Sequence, residues 1–527
     1  MDPKQTESAD QPTHTRQSTL SAQREPYVPP GYVLDQVSGR VLDPGTALTV
    51  KNVRPRSTVY VGPRLLVSRS GETATRIRQL QAIAEGLGWL ATVHQDDEAG
   101  VTDQDDARLG VVRLDLTVRD ERATIAPDGW VLLQNARAEH GLEAMSRVGL
   151  DHIVLVRSID PNPFHGSNPF HGSNPAGGSG SAALSSYAVA GQGGRQPIGY
   201  AGPQPVRRPD EQLVGRRPVV ATVDTGCGKH PWLAGVVKPG PSLDGQSIGY
   251  VDDSTDPEKW FDQVGALDGG IDPLAGHGTF IAGLIHQACP DADIVAWRIV
   301  GSDGPVVESD LVKALGAIAE IARRYRDGED GGHPIDVLSL SMGYYHETPE
   351  DLLFDPTMYE ILKLLGECGV SVVCSAGNDA TARPMFPAAF TPWADGKGGV
   401  EPTAGIVPVV SVGALNPNGS DALFSNAGPW VRAYAPGAAV MSTLPPFQGG
   451  LEPQARTEAY MRTRESIDPD DFSGSFALWS GTSFSAPLFA GRVAAELVDR
   501  IDAFDDPRDK AVERTWQALA RLTDLAP

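Results

Sequence analysis

Over residues 214–527 the sequence predicts an α/β fold, with a mostly parallel sheet covered by helices on both faces. A small α+β domain of ferredoxin-like plan is predicted before it. The length of 527 residues supports this division, because one ordinary core does not grow to that size. Beyond residue 218, short β-branched runs alternate with helical stretches, a pattern typical of parallel sheets.

The region before the α/β fold divides into three parts. Residues 1–50 are polar and proline-rich, so we expect a largely disordered tail. Residues 51–160 make up the predicted α+β domain, and residues 161–213 are rich in Gly, Ser, Pro and Asn, as linkers are. This linker repeats Asn-Pro-Phe-His-Gly-Ser at 162–167 and 168–173. We interpret the two histidines as part of a flexible repeat rather than as metal ligands.

The α+β domain shows the order β-α-β-β-α-β, which is that of a split βαβ fold. The first helix is predicted from apolar residues at helical spacing between Ile77 and Leu87, and the second opens at Pro127-Asp128. Its strands are predicted at 58–61 and 64–67, 90–94, 111–118 and 152–159.

The α/β part has an edge where functional side chains are expected. Its predicted strands are 219–223, 294–300, 337–341, 370–375 and 407–412, and its helices include 278–286, 309–325 and 356–368. Parallel strands carry their sites at their carboxyl ends. Asp224 and Asn378 each follow a predicted strand, so we expect both at that edge. The stretches 250–273 and 446–473 are interpreted as polar insertions.

Composition excludes several function classes. The formal charge of −23 disfavours nucleic acid or an anionic membrane as the main partner. The first thirty residues contain no pattern of a secretory signal, and no apolar run is long enough to span a membrane, so we expect cytoplasmic residence. With only four cysteines, no dense disulfide framework is expected.

Four short motifs, far apart in the chain, carry the parts of one hydrolytic site in the order Asp, His, Asn, Ser. They are Asp224 in Val-Ala-Thr-Val-Asp-Thr-Gly (220–226), His277 in Gly-His-Gly-Thr (276–279), Asn378 in Ser-Ala-Gly-Asn (375–378) and Ser483 in Gly-Thr-Ser-Phe-Ser-Ala-Pro (481–487). Each alone has a structural alternative, such as a helix cap or a turn. Together they indicate catalysis by a serine nucleophile.

Serine needs a base to take its proton as it attacks. Ser483 precedes an apolar stretch predicted to be helical, which places its hydroxyl at a helix N-terminus, where developing negative charge is favoured. His277, with an ordinary pKa of about 6.5, is the candidate base, and Asp224 is the residue that orients it. Asn378 is the candidate donor to the oxyanion, together with the Ser483 backbone N–H.

Residues from about 215 to 500 resemble the catalytic domain of the subtilisin-like (subtilase) serine peptidases. Further matches are Ser-Leu-Ser-Met-Gly at 339–343, Phe-Pro-Ala-Ala at 386–389, Val-Ser-Val-Gly-Ala at 410–414 and Ala-Pro-Gly at 435–437. The nucleophile motif departs from the family's Gly-Thr-Ser-Met-Ala, since Phe484 replaces Met and Ser485 replaces Ala.

The resemblance implies a subtilisin-like fold and a peptide-binding cleft. Its substrate-flanking segments correspond to Ser341, Met342 and Gly343 and to Ser375, Ala376 and Gly377. The N-terminal domain is similar in topology to the prodomains that precede many such enzymes and block their active sites. No cofactor is expected to be required. Structural calcium, which family members often bind, stays open, because the acidic stretches 252–253 and 468–471 form no recognisable ligand pattern.

The sequence therefore predicts a serine endopeptidase that hydrolyses protein or peptide substrates through an acyl-enzyme and is restrained as a zymogen by its own N-terminal domain. Acyl transfer on the same triad and a peptide-binding scaffold without catalysis are the alternatives. Asp379 could bias the pocket toward basic side chains, although we expect it to face solvent. The pairs Arg207-Arg208 and Arg216-Arg217 are considered as processing points in the linker.

Overall fold

The fold is that of a computed structural model, which describes residues 25–51, 53–98, 101, 109–121, 123–156, 187, 194–265, 267, 269–302, 304–348, 356–450, 456–465, 471–502 and 508–527. Its N-terminal part follows the order strand, helix, strand, strand, helix, strand. These elements are β2 (Thr58–Ser68), α2 (Thr73–Gly86), β3 (Trp89–Val93), β4 (Val111–Val118), α3 (Gly129–His140) and β5 (Val148–Val156). In the antiparallel sheet the order is β5-β2-β4-β3, and the two helices cover one apolar core that includes Leu65, Leu80 and Leu133.

The expectation of a disordered tail is wrong for part of residues 1–50. Helix α1 (Gly31–Gln36) and strand β1 (Gly39–Leu42) are folded, and β1 pairs antiparallel with β2. A few apolar residues in this polar stretch explain the difference, because Leu34 packs with Val59 and Ile153 and Leu42 enters the domain core. Residues 1–24 and the hexapeptide repeat lie outside the described residues.

The end of the predicted linker is likewise bound to the α/β part. Strand β6 (Gln196–Ile198) pairs with Phe476–Leu478. Ion pairs hold side chains of both basic pairs. Arg208 donates to Asp291, and Arg216 makes a bidentate ion pair with Asp336.

A seven-stranded parallel sheet organises the α/β part. Its order is β15-β14-β13-β11-β7-β9-β8, and every neighbouring pair is parallel. Its strands are β7 (Val219–Asp224), β8 (Val237–Pro239), β9 (Asp293–Arg298), β11 (Val337–Leu340), β13 (Ser371–Ser375), β14 (Val410–Leu415) and β15 (Ala433–Pro436). The strands predicted from sequence lie within three residues of β7, β9, β11, β13 and β14.

Two apolar layers cover this sheet. The helices are α4 (His277–Ala288), α5 (Glu308–Asp327), α6 (Pro356–Glu367), α7 (Thr482–Leu497) and α8 (Arg508–Leu522). Helices α5 and α6 belong to one layer, and α4, α7 and α8 belong to the other. The buried helix α7 crosses the middle of the sheet and contacts β11, β13 and β14. The mostly parallel α/β architecture predicted from the sequence is therefore confirmed.

Short strands and turns complete the fold. The strands are β10 (Pro305–Val307), β12 (Met342–Gly343), β16 (Val440–Thr443), β17 (Phe447–Gly450), β18 (Arg456–Ala459), β19 (Arg462–Glu465), β20 (Asp471–Phe472) and β21 (Phe476–Trp479). Single 3₁₀ turns lie at Gln95–Asp97, Asp210–Gln212, Pro231–Leu233, Asp253–Thr255 and Ala388–Phe390. Within the described residues, no helix combines the length and the apolar character that crossing a bilayer requires.

Candidate active site

Asp224 and His277 form a buried pair at the carboxyl edge of the sheet. Asp224 is the last residue of β7, and His277 is the first residue of α4. Their Oδ1 and Nδ1 atoms are 2.7 Å apart, and neither side chain is more than 2% exposed. Because the carboxylate accepts the Nδ1 proton, the neutral ring carries its lone pair on Nε2. Among the described residues, this Nε2 has no hydrogen-bond partner.

The glycines around His277 allow two backbone segments to approach closely. A Cβ on Gly278 would lie 2.0 Å from the carbonyl oxygen of Gly226, in the loop that follows Asp224. Gly276 has a φ of 78°, in the left-handed region that favours glycine, and a Cβ there would meet Leu444 at 2.6 Å. These glycines therefore let the start of α4 pack against the end of β7. This packing brings His277 and Asp224 together.

Ser483 lies in the first turn of α7, which begins at Thr482. Its hydroxyl donates to the carbonyl oxygen of Ser341 at 3.3 Å, while the Ser341 hydroxyl donates to the Ser483 carbonyl at 2.8 Å. The nucleophile candidate is thus tied to the segment after β11, and it stands at the positive end of a buried helix.

Asn378 links the end of β13 to the same helix. Its Oδ1 accepts from both the backbone N–H and the hydroxyl of Thr482, each at 2.8 Å. The Thr482 hydroxyl in turn accepts from the N–H of Gly377 at 3.1 Å. With its oxygen fixed by two donors, Asn378 has its amide nitrogen as the group that can serve a substrate oxyanion.

An aromatic wall surrounds the histidine. The His277 ring lies 5.3 Å from the ring of Phe484 and 5.6 Å from that of Trp479. The guanidinium of Arg195 lies 4.3 Å above the Trp479 ring. The substitution of Phe484 for the family's methionine therefore gives the base a rigid apolar neighbour. Sequence reasoning missed Trp479 and Arg195, because no motif marks either residue.

A small cleft opens beside Ser483. It is lined by Leu155, Ser341, Gly343, Tyr345, Ser375, Gly377, Asn378, Asp379, Met385, Thr482 and Ser483. Four of the six predicted substrate-binding residues are in this set. The other two, Met342 and Ala376, are buried in the core, so only their backbone can serve a substrate.

The expectation that Asp379 faces solvent is wrong. Its side chain is half-buried and lines the cleft. The Tyr345 hydroxyl donates to its Oδ2 at 2.7 Å, and the backbone N–H of Tyr27 donates to its Oδ1 at 3.2 Å. These donors hold a negative charge at the wall of the cleft next to Asn378.

The last strand of the N-terminal domain lies along the cleft edge. Residues 153–155 of β5 pair antiparallel with β10, and residues 155–156 pair antiparallel with β12. Strand β5 is therefore held between two strands of the α/β part, and Leu155 reaches the cleft beside Ser483. Sequence reasoning did not single out residues 305–307, which pair with this strand.

A buried charge cluster joins β5 to the α/β part. His152 Nδ1 lies 2.6 Å from an oxygen of Glu308, and His152 Nε2 lies 2.9 Å from an oxygen of Glu347. Burial acts to lower the pKa of His152, but the two carboxylates outweigh it and raise this pKa to about 9. Burial acts to raise the pKa of Glu347, but His346 and His152 outweigh it and hold this pKa well below its usual range. The Tyr344 ring stacks on His152 at 4.7 Å.

The other sequence candidates do not join the site. All four cysteines lie in the described residues without forming a disulfide, and burial raises the pKa of the Cys227 thiol. The Asp252 carboxylate accepts from Ser254, and Asp253 pairs with Lys259. Residues 468–470 lie outside the described part of the chain, so structural calcium stays open.

Comparison with known proteins identifies the family. The model of the subtilase family matches residues 215–517. The intracellular serine protease of Paenibacillus polymyxa is 25% identical over 327 residues, which cover 59% of this chain and 76% of that protein. The major intracellular serine protease of Bacillus subtilis is 24% identical over 304 residues, 54% and 76% of the two chains. Mycosin-4 of Mycobacterium tuberculosis is 27% identical over 296 residues, 52% and 54%.

Among solved structures, fervidolysin from Fervidobacterium pennivorans aligns with a TM-score of 0.43 and 20% identity, over 86% of this chain and 58% of that one. A cold-adapted subtilisin-like serine proteinase aligns with a TM-score of 0.35 and 19% identity, over 58% and 81%. The family match spans more than half of the 527 residues and contains all four motifs. The chain belongs to the subtilase family and is a subtilisin-like serine endopeptidase.

Proposed function

We propose that this endopeptidase cleaves peptide bonds through an acyl-enzyme on Ser483. The observation that carries the proposal is the buried Asp224–His277 pair, 2.7 Å apart, whose geometry makes Nε2 the proton acceptor. Ser483 Oγ attacks the scissile carbonyl carbon while its proton passes to Nε2, and the imidazolium then gives this proton to the leaving amine. Water hydrolyses the ester that remains, with His277 again as the base.

The hydroxyl of Ser483 donates to the carbonyl oxygen of Ser341 at 3.3 Å. The proposal therefore requires a rotation of this hydroxyl toward His277 as the substrate enters, and catalytic hydrogen bonds often tighten only in that complex. Asn378 Nδ2 and the Ser483 backbone N–H are assigned to the oxyanion. The two hydrogen bonds from Thr482 to Asn378 support this role, because they fix the amide before substrate arrives.

We also propose that the N-terminal domain restrains the enzyme. An extended peptide substrate binds this kind of cleft by adding a strand to an exposed edge. Strand β5 already pairs with β10 and β12, so a substrate cannot pair with these two strands until β5 leaves. The substrate class is accordingly an extended segment of protein or peptide, and the domain is an intramolecular competitor for its place.

The test is the intact mass of the full-length chain after treatment with a fluorophosphonate, which labels activated serines. Wild type and the matched control Ser473→Ala, which alters an exposed serine, are expected to gain one probe, whereas Ser483→Ala stays bare. A restrained enzyme and an inactive one could both stay unlabelled. The same test is therefore run on His152→Ala, which removes the buried imidazolium between Glu308 and Glu347. If every variant stays bare, including His152→Ala, the catalytic proposal is wrong. Residues 1–213 are not simply deleted, because that would also remove β6 from the α/β part.

A further inference from the structure

The segment 250–273 delivers one buried carboxylate to the catalytic pair. Glu258 is 3% exposed, although the stretch around it is polar. Its Oε1 accepts from the N–H of Gly278 at 2.9 Å and from the Thr225 hydroxyl at 2.5 Å. Its Oε2 accepts from the hydroxyl of Thr279. One side chain thus holds the residue after Asp224 and the two residues after His277.

These contacts join two otherwise separate pieces of backbone. The Thr225 hydroxyl also accepts from the N–H of Gly278 at 2.7 Å, and the Thr225 N–H donates to Asp224 Oδ1 at 2.8 Å. Glu258 therefore closes a short network from the end of β7 to the first turn of α4. A carboxylate at this place also satisfies N–H groups that the helix leaves unpaired and lies at the helix's positive end.

The segment that carries Glu258 is itself fixed. The N–H of Glu258 donates to Asp256 at 3.0 Å, and the N–H of Gly276 donates to the carbonyl of Pro257 at 3.0 Å. Farther along, Arg195 donates to the carbonyls of Asp272 and Ala275. The segment around Glu258 and the loop that leads into His277 are therefore bound to each other. We expect a change at Glu258 to alter the position of the histidine.

We propose that Glu258 is a positioning residue that holds the imidazole of His277 against Asp224. The inference rests on the proposed function. Glu258 acts through the Asp224–His277 pair rather than on substrate. Burial raises the pKa of Glu258, the hydroxyls of Thr225 and Thr279 offset part of this, and the result is about 7. Above that pH the carboxylate adds a second negative charge beside the pair.

The first arm of the test measures the rate at which a fluorophosphonate labels Ser483 in the full-length chain, from pH 5 to 9. Glu258→Ala is expected to label about 10²-fold more slowly, the size of effect that a small displacement of a reacting group produces. Glu258→Gln keeps the shape and is expected to be about tenfold slower and to lose a step near pH 7 that we expect in the wild-type profile. The control Asp253→Asn, on an exposed side chain of the same segment, keeps the wild-type rate and profile.

The second arm does not need an active enzyme. In the Ser483→Ala background, the proton that His277 Nδ1 shares with Asp224 gives a proton resonance far downfield, and Glu258→Gln is expected to shift it while Glu258→Ala broadens or removes it. Wild-type resonance and wild-type rate in both Glu258 variants would overturn the inference. If wild type is not labelled but the resonance responds, the proposed function fails and the positioning role stands. If Glu258→Ala does not fold, the isosteric Gln variant decides.

Discussion

Replacing His152 by alanine is expected to release the N-terminal domain from the cleft. The imidazolium lies between Glu308 and Glu347 and is 2% exposed. Without it, Glu308 and Glu347 lose the imidazolium that lies between them in a buried interface, and Glu347 keeps His346, 2.9 Å away, as an ion-pair partner. Removing one partner of a buried charge pair costs about 3–5 kcal/mol. Since about 1.4 kcal/mol is a tenfold change in an equilibrium, the undocked population should rise by about 10²-fold to 4 × 10³-fold.

The same contact makes docking sensitive to alkaline pH. The pKa of His152 is raised in the docked state, from an ordinary 6.5 to about 9. The group therefore binds its proton more tightly when docked, so its contribution is complete below about pH 6.5 and is lost as the pH rises through about 9. Wild type should open progressively over this range, and His152→Ala should not.

The assay is the rate of fluorophosphonate labelling of Ser483 in the intact chain, measured at pH 7 and at pH 9. At pH 7, His152→Ala should label at least tenfold faster than wild type, and the ratio of the two rates should shrink at pH 9. His140→Ala, in the last turn of α3, serves as the control for replacing a histidine in the same domain. Equal labelling rates for wild type and His152→Ala at both pH values, with both chains folded by near-ultraviolet circular dichroism, would refute this reasoning.

The remaining predictions concern the site and stability. Asp224→Asn should lower peptide hydrolysis by about 10⁴-fold and Asn378→Ala by about 10²–10³-fold, both measured below the melting temperature of the variant, and a loss under tenfold would contradict either role. Combining Asp224→Asn with Glu258→Gln should lower the rate of peptide hydrolysis by less than the product of the two single fold losses, since both residues act on one imidazole. A loss equal to that product would show that the two residues act independently. Asp379→Asn should reduce the preference for Lys or Arg before the scissile bond by up to about fivefold, as expected for a half-exposed pair, measured on matched peptides. Burial lowers the pKa of His286 to about 4, so the free energy of unfolding should fall as the pH falls from about 6.5 to 4. Urea unfolding of His286→Leu should show a weaker dependence on pH. An equal dependence on pH in wild type and variant would count against this role of His286.

The motif residues could be placed from sequence because each one ends a strand or starts a helix. Asp224 ends β7, and Asn378 follows β13 by three residues, so strand prediction alone put both at one edge of the sheet. The helix that carries Ser483 begins at Thr482, four residues before the predicted apolar run at Ala486. Pro487 is the sixth residue of this helix and lies beyond the first turn, which is where proline is usually tolerated.

Contacts between distant segments could not be predicted in this way. His152 and Glu347 are 195 residues apart, and neither stands in a periodic pattern that points to the other. Glu258 belongs to a stretch whose polarity indicated only a surface insertion, yet its side chain is buried. Tail residues such as Leu34 and Leu42 were misjudged because their composition was averaged over fifty mostly polar positions. In each case the missing information is which surface the segment meets, and that is set by the tertiary fold.

Ser483 and His277 are positioned in the same way. Ser483 and His277 both stand in the first turn of a buried helix, and each helix start is fastened to a strand end by one polar side chain. Asn378 does this for α7 by accepting from the backbone of Thr482, and Glu258 does it for α4 by accepting from the backbone of Gly278. The first fastening lies within a recognisable motif, and its proposed further role is to offer the Asn378 amide to substrate. The second touches no substrate, so any segment that delivers a carboxylate to the start of α4 can supply it, and here a polar insertion does.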